Sequence, residues 1–61
     1  MEKYYDVRYL VAGQGPKQME LSTDNPDLSD DAVRADAKYQ AASIEGVPER
    51  QITLMAVDPL N

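Results

Sequence analysis

The sequence predicts an α+β fold: a single small domain over 1–61, with ββαβ order and one helix packed on one face of a three-stranded, mainly antiparallel sheet of order 2-1-3. Three observations predict it. Residues 3–11 alternate with period two among β-favouring side chains. Residues 29–45 repeat their apolar positions at helical spacing, and 51–57 return to period two after a glycine and a proline.

The strand 3–11 sets Tyr5, Val7, Tyr9 and Val11 on one face and Tyr4, Asp6, Arg8 and Leu10 on the other. Ala12-Gly13-Gln14-Gly15-Pro16 is turn chemistry. The strand 17–22 then resumes the alternation, Met19 and Leu21 inward and Gln18 and Glu20 outward, which closes a hairpin. A polar connector follows as far as Pro26, and Pro26 itself marks an alternative, earlier helix start.

The helix 29–45 opens on Ser29, whose hydroxyl can accept from a first-turn amide. Leu28 and Val33 stand at the spacing of a hydrophobic staple. Gly46 suits a left-handed stop, and Pro48 prevents the helix from resuming. On a helical wheel Val33, Ala37, Gln40, Ala41 and Ile44 form the stripe expected to face the sheet, with the Tyr5 and Tyr9 rings filling the space between. Ala32, Ala35, Tyr39 and Ala42 form an opposite, outward stripe. Alanine is the best helix former and needs no other reason to be there. Tyr39 flanked by small residues also has the composition of a contact anchor.

The strand 51–57 places Ile52, Leu54 and Ala56 toward the helix and Thr53, Met55 and Val57 on the bare face. A helix joining the second and third strands makes them parallel. A right-handed crossover then sets the third beside the first, which becomes central.

Composition excludes more than it selects. The chain has no Cys and no His, so the usual thiolate nucleophile, imidazole base and zinc ligands are missing. The segment Asp24 to Asp31 is rich in oxygen ligands, but Ser29 and Ala35 stand where an EF-hand requires Gly and Glu. Gly13 to Lys17 lacks the Walker spacing. A chain this short is not expected to enclose a pocket of ~300 Å³ beside its core. No enzyme activity, cofactor, metal or small-molecule substrate is therefore expected.

Eleven acids against six bases give a net charge of −5, which disfavours direct binding to a phosphate backbone. No stretch is apolar enough to span a membrane, and no signal peptide is visible, so a cytoplasmic location is expected.

What remains is binding to a protein partner or to a second copy. Three places suggest it. Tyr39 and Ala35 lie on the outward helix stripe. Asp30 and Asp31 belong to an acidic cluster that the helix dipole alone could account for. Tyr4, Leu10, Met55 and Val57 are apolar groups on the sheet face left bare by the helix. The outer edges of the second and third strands are also free to pair.

Size, acidity and element order resemble the small ββαβ proteins with which phages inhibit host enzymes, one of them an inhibitor of bacterial RNA polymerase. The likeness is one of architecture and not of motif. It implies a small acidic protein-binding module of phage or prophage type that modulates or inhibits a larger host protein. The alternatives are a structural or accessory homodimer pairing through the uncovered sheet face, and a DNA mimic or nucleic-acid-associated protein.

Overall fold

The structure, a computed structural model, describes residues 2–25 and 27–60. Its elements are β1 (Lys3–Val11), β2 (Pro16–Thr23), α1 (Asp30–Glu45), a single 3-10 turn (Glu49–Gln51) and β3 (Ile52–Pro59). The three strands form one sheet of order β2-β1-β3, antiparallel throughout its two pairings, with α1 on one face.

Local chemistry explains each boundary. The hairpin turns where Gly13 takes φ 81°, and the Gln14 amide donates to the Val11 carbonyl at 2.9 Å. In the connector, Asn25 Oδ1 accepts from the Asp27 amide at 3.1 Å. Pro26, the alternative helix start, lies outside the described residues; the helix itself begins at Asp30. Ser29 caps it, accepting from the Ala32 amide at 3.2 Å, and Leu28 is half-buried on the core that Val33 enters. Gly46 ends it with φ 70°, where the Ala42 carbonyl accepts from the Gly46 and Val47 amides at 2.8 and 3.1 Å.

The core is Val7, Tyr9, Val11, Leu21, Val33, Ala37, Ala41, Ala42 and Ile52. Two expectations need correction. Gln40 and Ile44 were expected to face the sheet, but both are exposed, Ile44 at 63%. Ala42 was expected to point outward, but it is buried. The reason is the slant of the contact. The buried row runs Val33, Ala37, Ala41 in strict steps of four, and such rows are inclined to the helix axis. Its next member is Glu45, not Ile44.

In β3 the facing also departs from the expected alternation. Tyr9 pairs with Leu54 and Arg8 with Ala56, so Met55 is an extra residue with no partner of its own. This bulge shifts the alternation by one. Ala56 moves to the bare face opposite Arg8. Val57, expected on the bare face, turns toward the helix, sits opposite the fully buried Val7 and packs on the core.

Candidate interaction surfaces

The end of α1 is tied to the hairpin by one carboxylate. Glu45 Oε2 accepts from the Tyr9 hydroxyl at 2.9 Å, and Glu45 Oε1 pairs with Lys17 Nζ at 2.7 Å. An acid in the last turn opposes the helix dipole, and no base of that turn relieves it. Lys17 supplies the compensating charge from β2. Lys17 first and Tyr9 second hold the Glu45 carboxyl below its ordinary range. Burial, and then Glu45, push the Tyr9 phenol above its own. Tyr9 thus fills the core with its ring and uses its hydroxyl as a fastener.

On the helix exterior Tyr39 is 60% exposed, with Ala35, Asp30 and Asp31 also exposed. Beside Tyr39 lies a shallow hollow of about 440 Å³ lined by Ala42, Ser43, Gly46, Val47, Pro48 and Glu49. Asp31, Ala35 and Tyr39 follow one another at steps of four along one helix face, while Asp30 borders a different hollow.

The bare sheet face is more structured than its apolar residues suggest. Tyr4 and Leu10 are half-buried at opposite ends of β1, and Met55 is exposed beside Arg8, Pro16 and Gln18. Leu10 lies across from Pro16, so the apolar groups gather at the turn end while Tyr4 stands apart. Between them runs a row that sequence reasoning missed. Asp6 lies directly across from Glu20 on one side and from Asp58 on the other. Residues directly opposite share a face and sit ~5 Å apart, so three carboxylates cross the sheet in line.

The central carboxylate is the one with help. Asp6 Oδ1 accepts from Gln18 Nε2 at 2.5 Å, and Oδ2 lies 3.6 Å from Arg8 Nε. Glu20 and Asp58 are exposed, with no ion pair among the described residues. Next in line, the Tyr4 hydroxyl donates to Glu2 at 2.9 Å. That hydrogen bond, then the Glu2 charge, raises the Tyr4 phenol above its ordinary value. Half of the row was available earlier. Counting back from the hairpin turn sets Asp6 opposite Glu20. Asp58 joins only because of the Met55 bulge.

Among the described residues no group of three or more His, Cys, Asp or Glu could hold a metal ion. No described helix is long and apolar enough to cross a membrane. Hollows of about 440, 420 and 330 Å³ do open on the surface, so volume is not limiting as the chain length suggested. Each of them is open to solvent. Comparison with protein families, curated proteins and solved structures finds no match to the chain.

Proposed function

We propose that this chain is a small acidic docking module, of the phage or prophage type it resembles in architecture, which sets its uncovered sheet face against a basic surface of a larger protein and modulates it. The observation that carries this reading is the Glu20–Asp6–Asp58 row. Like charges directly opposite on a sheet destabilise it. A small domain with little stability to spare keeps them on the face its helix leaves open. A row of Lys or Arg on a partner would relieve that repulsion, and Leu10, Pro16 and Met55 toward the turn end of the same face supply an apolar contact.

Self-association through the same face would bury the rows of both copies together. Carboxylates are costly to remove from water without cationic partners, so the geometry supports a basic partner better than a second copy. The test is quantitative capture from bacterial lysate with the wild type, Glu20→Lys/Asp58→Lys and Tyr39→Ala. The expected outcome is a captured protein lost with the double charge reversal and with added salt, and kept with Tyr39→Ala. Loss with Tyr39→Ala alone would move the docking surface to the helix. A dimer persisting in sedimentation at micromolar concentration would transfer the sheet face to self-association.

A further inference from the structure

A second hollow lies on the helix side of the sheet, away from the carboxylate row. It occupies about 420 Å³ where the first turns of α1 diverge from β1 and β3. Tyr5, Val33, Val57 and Pro59 wall it, and Lys3, Arg34 and Asp30 stand around it. Its wall depends on the bulge: without the extra Met55, the alternation would turn Val57 and Pro59 to the bare face. The volume falls within the ~300–1,000 Å³ typical of small-molecule sites.

The charges make this hollow unlike the other two. Arg8 is paired with Asp6, and Lys17 with Glu45. Lys3 and Arg34 have no ion pair among the described residues, although acids outnumber bases eleven to six in the chain. Even Asp30, four residues before Arg34 and bordering the same hollow, is not within pairing distance. Two bases and one acid leave a local charge of +1 beside an apolar wall. The hollow next to Tyr39 is bordered by Glu49 and no base.

We propose that this hollow binds a small molecule carrying one carboxylate on an apolar body. The body covers Tyr5, Val57 and Pro59, and the carboxylate lies between Lys3 and Arg34. Arg34 can take it with two parallel N–H donors. A phosphate dianion suits the site less well, because Asp30 and the overall charge of −5 oppose a second negative charge. A plain aryl or alkyl carboxylate and a free apolar amino acid share this chemistry. They differ in whether Asp30 meets an ammonium group.

The experiment is an amide NMR titration of the full chain with phenylacetate, beside phenethyl alcohol, acetate and phenylalanine. Phenylacetate should give saturable shifts at Lys3, Tyr5, Val33, Arg34 and Val57. Binding should be about tenfold weaker for phenethyl alcohol, which lacks the charge, and for acetate, which lacks the ring. Lys3→Gln and Arg34→Gln change exposed or half-exposed ends of side chains, keep the fold, and should each weaken phenylacetate by several-fold. Phenylalanine binding more tightly than phenylacetate assigns the site to amino acids, and more weakly to plain carboxylates. Absence of saturable shifts, equal binding of the alcohol, or indifference to both substitutions would overturn the proposal. None of these readouts depends on the docking face, so each reading can fail alone.

Discussion

The two faces of this sheet are built by opposite rules. On the covered face the centre of the sheet pairs apolar with apolar, Val7 between Met19 and Val57 and Val11 beside Ile52, while Lys17 opposite Tyr9 is tied to Glu45. On the bare face Leu10 and Pro16 pair at the turn end, and farther along one row places three carboxylates in line. The same β1 strand contributes the centre of both. Stability therefore resides in one set of alternate residues, and the second set is free to carry charge that does the fold no good. In a chain of 61 residues this division leaves few side chains without an assignment.

The largest effect should come from breaking the covered face. Ile52 is 2% exposed, and Ile52→Ala should cost about 2–5 kcal/mol. At roughly 0.05–0.15 kcal/mol per residue, a domain of this size has a total stability of a similar order. The substitution should therefore remove a large share of the total stability, as circular dichroism and urea titration would read. Met55→Ala, three residues along the same strand but exposed, should stay within about 0.5 kcal/mol of wild type. Equal effects from the two would mean that the bulge has been placed wrongly.

The fastener between the faces of helix and hairpin predicts a pH dependence with two limbs. Glu45 has a lowered folded-state pKa, so its contribution is complete above the ordinary glutamate value of 4.5 and is lost as pH falls through the folded value. Tyr9 has a raised one, so its contribution is complete below 10.0 and is lost as pH rises through the folded value. Tyr9→Phe should cost about 0.5–1.5 kcal/mol near neutrality, shrink the alkaline limb to the part that Tyr4 carries through Glu2, and leave the part of the acid limb that Lys17 sustains. Urea midpoints taken across the pH range check all three. An unchanged alkaline limb in the Phe variant would assign that limb to another tyrosine.

Element order, strand pairing and the helix caps were legible because each rests on local chemistry: Gly13 at the turn, Ser29 at the cap, Gly46 at the stop. What could not be read was rotation. The sequence around Met55 has no glycine to betray a bulge, and Leu54, Met55, Ala56 and Val57 are apolar in either phase. Facing after Leu54 was therefore undetermined by pattern, and Val57 was assigned to the wrong side. The helix misled for a similar reason. A wheel treats the stripe as parallel to the axis, whereas the helix follows a slanted row of four-residue steps that admits Glu45 and leaves Ile44 in water. An acid reads as exposed until its partners Tyr9 and Lys17 are known. Of the candidate site, Tyr39, Ala35 and Met55 were correctly read as accessible, and the Asp6–Glu20 pair was countable across the turn. Asp58 became visible only with the bulge.

A single charge reversal is the most informative change on the bare face. Asp58→Lys replaces one end of the carboxylate row by a base directly opposite Asp6 and changes the net charge by two, from −5 to −3. Turning a like-charge pair into an opposite-charge pair across a strand should stabilise the free protein by about 0.2–1 kcal/mol, read as a higher urea midpoint. The gain should shrink with salt, because Asp58 is exposed and screened. The same substitution should weaken capture of a basic partner. A residue whose replacement strengthens the fold while weakening binding is kept for the binding, since selection for stability alone would have removed it. If Asp58→Lys lowers the midpoint instead, the row is stabilised by contacts within the chain, and its claim to be a docking surface lapses with the repulsion that motivated it.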